Sequence, residues 1–171
     1  MDQAMNSTAG FNVIPIGHVS SPFTSVEGMP IQTVSSQEAE GIVRVLPEFE
    51  AGLQDIEAFE YLILVTHLHE AVGQTLVSTP FLDDKTHGVF ATRHPDRPNR
   101  IGLSIVKLIR RDGPALHFSG NDMLNGTPVI DIKPYVPAFD VRDTARIGWY
   151  SQRINRLAQT TSSRKNPKNL K

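Results

Sequence analysis

A chain of 171 residues is long enough for one domain with a substantial core, and 39% hydrophobic with 20% charged residues is the balance of an ordinary globular protein. The absence of cysteine excludes disulfides, thiolate metal sites and cysteine nucleophiles, and fits a reducing compartment. A net charge of −1 leaves any contact with nucleic acid to a local basic patch. No apolar run approaches the roughly 20 residues that span a bilayer, and the start MDQAMNSTAG lacks the basic and apolar stretches of a signal peptide, so a cytoplasmic protein is expected.

Residues 1–10 are small and polar and read as a disordered N-terminus. Phe11 to Val19 reads as a first strand, followed by turn chemistry at Ser21-Pro22-Phe23 and Gly28-Met29-Pro30. Gly41 to Leu46 alternates as a strand does. Pro47 then opens a short helix, Glu48 to Ala58, with acidic residues in its first turn where the dipole favours them. Tyr61 to Leu68 is a nearly continuous, β-branched apolar run and predicts a buried central strand. Thr75–Phe81, Gly88–Thr92, Gly102–Arg110, Ala115–Ser119 and Thr127–Tyr135 read as further short strands punctuated by Gly, Pro, Asp and Asn. Many short strands with few helices predict a mainly β domain, an antiparallel β-barrel over residues 11–142. Asp143 then caps a C-terminal helix over 143–160, with Ile147, Tyr150, Ile154 and Leu157 at helical spacing, before a polar, basic tail over 161–171.

The loop Gly88 to Leu103, GVFATRHPDRPNRIGL, gathers Arg93, Arg97 and Arg100 between apolar runs, with Pro95 and Pro98 stiffening it. Permanently charged, planar guanidinium groups on a stiff loop point to an anionic ligand: phosphate, carboxylate or RNA. A solvated surface turn is the plainer alternative. His67 and His69 share one face of their strand, with Glu70 beside them. A zinc or iron site there lacks further ligands beyond His87 and His94, so no metal is expected. Strand-end residues lining a pocket, or a core role for His67, are better readings. In Gly120 to Tyr135, Asn125-Gly126 marks a tight turn. Asp122 suits either a ligand amine or hydroxyl or an Asx turn, while Asp131 and Lys133 alternate with Ile130 and Ile132. Gln32 offers a side-chain amide in a Pro/Gly loop. No Walker loop, GxGxxG, HExxH or GxSxG occurs, so the usual α/β nucleotide-binding folds are not expected.

Ile16-Gly-His-Val-Ser-Ser-Pro-Phe23, the Gln32 loop, Gly88-Val-Phe-Ala-Thr-Arg93, Arg97-Pro-Asn-Arg-Ile-Gly-Leu-Ser104 and Asn125-Gly-Thr-Pro-Val-Ile-Asp-Ile-Lys-Pro-Tyr135 follow one another in order. Together, over about residues 13 to 140, they resemble the TsaA-like, or TrmO (YaeB-like), family. The resemblance implies an S-adenosylmethionine-dependent methyltransferase on a β-barrel, acting as a homodimer on N6 of threonylcarbamoyladenosine beside the tRNA anticodon. Its cofactor pocket would involve Pro30, Gln32, His69, Glu70, Arg93, Leu103, Ser119, Gly120, Asn121 and Asp122. Arg97 and Arg100 are expected to contact substrate or a dimer partner and Lys133 to contact substrate, and Asp122 or Asp131 would accept a proton. The chain departs from the family pattern at Ser20, Ile31, Glu70 and Arg100, where arginine, arginine, glutamine and proline are usual. Those departures keep two alternatives open: a methyltransferase of the same fold acting on another RNA or a small molecule, and a non-catalytic binder of S-adenosylmethionine or a nucleoside.

Overall fold

Alternation along the strands decides the architecture. From Tyr61 to His67 every second side chain (Leu62, Leu64, Thr66) is buried, and from Glu40 to Val45 the buried positions are Gly41, Val43 and Val45. The computed structural model describes residues 10, 12–30, 32–33 and 37–155. In chain order the strands are β1 (Gly17–Ser20), β2 (Glu40–Val45), β3 (Tyr61–His67), β4 (Val77–Ser78), β5 (His87–Gly88), β6 (Ile101–Asp112), β7 (Ala115–Ser119) and β8 (Pro128–Pro134).

Six of them form a closed barrel in the order β1-β2-β7-β6-β3-β8, and every pairing is antiparallel. β8 lies along β3 on one side and pairs back with β1 on the other through Gly17↔Val129 and His18↔Pro128. Inward-facing Val19, Val43, Val45, Leu62, Leu64, Val106, Leu108, Leu116, Phe118 and Val129 fill the interior, each less than a tenth exposed. Gly41 is required by this packing, because a Cβ there would sit 2.4 Å from the Phe118 ring.

The register assigns the loops to two ends. At one end β2 leads into a 3-10 turn at Pro47–Leu53 and a second at Ile56–Ala58, which bury Leu53 and Ile56 against the core. The single α-helix expected over Glu48 to Ala58 is therefore corrected. Asp55 adopts a left-handed φ of 63° between the two turns, which no continuous helix accommodates. At the opposite end β1, β3 and β7 finish while β2, β6 and β8 begin, so Ser21, His67–Glu70, Arg100 and the Gly120–Thr127 segment all leave from there.

Other boundaries also differ from expectation. β1 starts at Gly17, and Phe11 lies outside the described residues. The strands expected over Thr75–Phe81 and Gly88–Thr92 shrink to the separate two-residue ribbon β4–β5, and Val89–Ala91 is a 3-10 turn. The C-terminal helix expected from Asp143 is not seen over the described residues. Instead there is one α-helical turn, Pro137–Asp140, and a 3-10 turn, Gly148–Gln152. Gly148 has a φ of 61°, which no α-helix accommodates, and Trp149 is drawn into ring contacts with β5. Leu157 and the basic tail lie outside the described residues.

Candidate functional site

The end of the barrel from which Gly120–Thr127 leaves is built around Ser21 and Asn121. Asn121 is fully buried, and its amide donates to the Ser21 hydroxyl oxygen at 2.7 Å and to the Glu40 carbonyl at 3.4 Å. Its Oδ1 accepts from the Met123 amide at 3.1 Å, while its own amide donates to the Ala39 carbonyl at 2.9 Å. Ser21 donates its hydroxyl to the Met123 carbonyl at 2.7 Å, and its amide donates to Asn125 Oδ1 at 3.1 Å. These bonds explain the Ser-Pro-Phe and Asn-Gly motifs physically: they tie β1 to the segment before β8, roughly a hundred residues away in sequence. Gly120 turns the chain with a φ of 84°, so Asp122 emerges from a backbone held on both sides.

Asp122 faces the start of β6. Ser104 points inward from that strand and donates its hydroxyl to Asp122 Oδ1 at 2.7 Å. Burial pushes the carboxyl of Asp122 up to about 6, held back by the Ser104 hydroxyl, its own amide, the charge of Arg93 and the Thr33 amide. Arg93 follows the Val89–Ala91 turn and donates to Gln32 Oε1 across 61 residues of sequence. It also acts on Tyr150, whose phenol burial raises above its ordinary pKa and the Arg93 charge lowers. One guanidinium thus has Gln32, Asp122 and Tyr150 around it.

The structure brings together only part of the expected site. Gln32, Arg93, Gly120 and Asp122 converge. Asn121 stands next to Asp122 but has its polar atoms committed to the fold, and Ser119 ends β7 opposite Glu40 and Lys107. Pro30 is partly buried before the Gln32 position. His69 and Glu70 lie in the turn after β3, their side chains 3.7 Å apart, with Glu70 more than half exposed. Leu103 faces outward, 54% exposed, while its neighbour Ser104 faces in.

Of the other two arginines of the loop, Arg97 ties it to itself and Arg100 ties it to the segment after β3. Arg97 donates to the Thr92 carbonyl at 3.3 Å, and Arg100 donates to the Val72 and Gly73 carbonyls at 3.3 Å each. Arg100 sits at a φ of 44°, and its carbonyl accepts the Leu68 amide at 2.8 Å. Asp131 is not brought to Asp122. It pairs with Lys133 at 2.6 Å and lines a cleft of about 350 Å³ with Ile16, Phe49 and Leu53 at the opposite end of the barrel.

Sequence reasoning missed Ser104 and Tyr150 as site residues. Ser104 carried a signal, a polar residue at an inward position of an alternating strand. Tyr150 carried none, because its helical spacing to Ile147 and Ile154 pointed to a different element. Among the described residues no group of three or more His, Asp or Glu side chains could hold a metal ion, and no helix is long and apolar enough to cross a membrane.

Residues 18–141 match the family described as the tRNA-methyltransferase O N-terminal domain. A protein of Pyrococcus abyssi named as a probable S-adenosyl-L-methionine-binding protein is 48% identical over 143 residues, 84% of this chain and 78% of that protein. The human tRNA (adenine(37)-N6)-methyltransferase is 35% identical over 133 residues, 74% of this chain but 30% of that enzyme. A crystal structure of TrmO from Pseudomonas aeruginosa superposes with a TM-score of 0.69 at 37% identity, covering 82% of this chain and 62% of that one. The chain therefore spans less than two thirds of the enzymes whose names specify a tRNA substrate or TrmO.

Proposed function

Because the chain belongs to the tRNA-methyltransferase O N-terminal domain family, we propose that it is an S-adenosylmethionine-dependent methyltransferase that methylates N6 of threonylcarbamoyladenosine beside a tRNA anticodon. The observation that carries this reading is that Arg93, bonded to Gln32, places its charge within electrostatic reach of a partly buried Asp122 at one end of the barrel. S-adenosylmethionine is zwitterionic in its amino-acid part and carries a sulfonium, so it needs a cation and a carboxylate in one space. Arg93 and Asp122 have that chemistry.

When bound, the cofactor supplies an electrophilic methyl group whose transfer needs no metal and no covalent enzyme intermediate. The residues then have separate tasks. Arg93, braced by Gln32, holds a carboxylate. The Ser21–Asn121–Met123 bonds fix the backbone from which Asp122 projects, and orientation of this kind supplies much of the acceleration in bimolecular transfer. Asp122 would take the proton that the acceptor nitrogen loses on methylation. A pKa of about 6 makes it a stronger base than an ordinary carboxylate while leaving it ionised at neutral pH. The enzyme works in the cytoplasm as a homodimer in this reading.

Two features favour a second acceptor, another RNA or a small molecule. Ile31 stands where the family usually has arginine, and Arg100 already donates to the Val72 and Gly73 carbonyls. Calorimetry with S-adenosylmethionine tests the cofactor assignment: binding by the parent and at least tenfold weaker binding by Arg93→Ala are expected. No binding by the parent would overturn it. Methyl transfer to tRNA carrying threonylcarbamoyladenosine, compared with the same tRNA lacking it, tests the acceptor, and equal or absent labelling of both would overturn that assignment.

A further inference from the structure

The segment Gly148–Arg153 lies beyond the residues 18–141 that match the family, yet it packs beside the site. Trp149, the single tryptophan of the chain, stacks on His87 of β5 with ring centroids 4.7 Å apart and planes 17° apart. Tyr150 stacks on the other partner of this column, Trp149, at 3.8 Å and 25°. The column is fastened at its base. The indole N–H donates to the Ala91 carbonyl at 2.9 Å, two residues before Arg93, and Arg153 reaches Asp83 Oδ1 at 3.4 Å. Asp83 Oδ2 in turn lies 3.2 Å from His87 Nε2.

The result is a rigid three-ring stack whose last member is Tyr150. That ring is only partly exposed, and Trp149 is its one ring partner among the described residues. The stack stands next to the Arg93 guanidinium, the group placed here on the ligand's carboxylate. A preformed aromatic surface beside a cation is the arrangement by which proteins hold a nucleobase, since every base has a π-face and a rigid ring loses little entropy on stacking.

We propose that Tyr150 is a binding residue whose ring extends the His87–Trp149 column onto an adenine ring, making the C-terminal segment part of the site. The assignment rests on the methyltransferase reading for its location and on the stack for its chemistry. Adenine reaches this site from two sources, the cofactor or the acceptor nucleotide, and one set of measurements separates them.

The test follows Trp149 fluorescence and calorimetry on the full chain, with S-adenosylhomocysteine, adenosine monophosphate and a tRNA anticodon stem-loop as probes. Quenching by a probe, binding weakened about tenfold or more in Tyr150→Leu, and recovery in Tyr150→Phe are expected, in keeping with the strength of base–aromatic stacking. If the loss falls on S-adenosylhomocysteine, the ring holds the cofactor's adenine. If it falls on the stem-loop alone, the ring holds the acceptor. Adenosine monophosphate that quenches the parent when S-adenosylhomocysteine does not bind would remove the cofactor reading and leave the platform standing. Equal binding of all three probes by the parent, Tyr150→Leu and Tyr150→Phe, or no quenching by any of them, would overturn the proposal.

Discussion

At the scale of single residues, Asp122 has the most to reveal. Its carboxyl is pushed up to about 6 by burial, so it is protonated in mild acid and ionised at neutral pH. As the proposed base it acts only when ionised, so the rate is expected to rise with pH through about 6. Asp122→Asn is expected to lower kcat by about 10²–10⁴ and to abolish that limb in a pH–rate profile. The effect on stability has the opposite sign. A carboxyl whose folded pKa lies above its ordinary 3.8 binds its proton more tightly when folded, so its contribution is full below 3.8 and is lost as pH rises through about 6. Melting curves should therefore show Asp122→Asn gaining on the parent at pH 8 relative to pH 5. Asn121 is its counterpart on the structural side. Truncating it to alanine leaves the Met123 amide without its acceptor and removes the Ser21 bond, a loss of about 1–3 kcal/mol readable by denaturant titration. The two neighbours looked alike in sequence, both polar residues before a tight turn. What separates them is which side of the backbone meets Ser21 and which meets Ser104, a matter of register between distant strands that local chemistry does not carry.

At the scale of elements, the barrel strands were legible because apolar alternation and turn residues act locally. β3, β7 and β8 lie within a residue or two of their expected limits. The helices were not legible, because tertiary contacts overrode their spacing. The segment after Asp143 carries apolar residues at helical intervals, yet Trp149 finds His87 and Ala91, and Arg153 finds Asp83, so the chain follows those partners instead. Burial acts against the charge of Asp83, but His87, the Asp84 and Lys85 amides and Arg153 together lower its pKa to about 2. A depressed carboxylate contributes its stabilisation above the ordinary 3.8 and loses it as pH falls through about 2. Asp83→Asn should accordingly shift Trp149 fluorescence at neutral pH, where the parent carboxylate is ionised. β6 offers a sharper packing test. A Cβ on Gly102 would lie 2.5 Å from Thr66 Oγ1 and 3.0 Å from the end of the Leu68 side chain. Gly102→Ala is expected to lower the melting temperature, and pairing it with Thr66→Ala should recover part of the loss, the coupling being read from a double-mutant cycle.

At the scale of the whole molecule, closure of the sheet gives each of its six strands a neighbour on both sides. β6 turns Ile101, Leu103 and Ile105 outward, each at least 39% exposed, beside the partly exposed Ile63 and Val65 of β3. An apolar row of this kind on a barrel exterior fits the proposed homodimer. Sedimentation is expected to show a dimer that Leu103→Asp converts to a monomer with its melting transition retained, and a monomeric parent would remove that assignment. How far the site itself was legible is answered at this scale too. The motifs named loops that the fold brings to one place, since Gln32, Arg93 and Asp122 lie together. The separation of Asp131 from them depends on which end of the barrel each loop leaves, and only the strand order supplies that.

The seam between β1 and β8 has a consequence for how this chain comes into being. β1 is made before the other strands of the barrel, and it waits more than a hundred residues for the strand that completes its second side, joined there by only two register pairs. Until residues 128–134 leave the ribosome, β1 and β3 each keep an unsatisfied edge. A nascent chain stalled near residue 120 would therefore be a curled open sheet, exposed to pairing with its neighbours on a polysome. Closure of the ring thus comes late in synthesis, and the Gly148–Arg153 segment that docks on β5 is made later still.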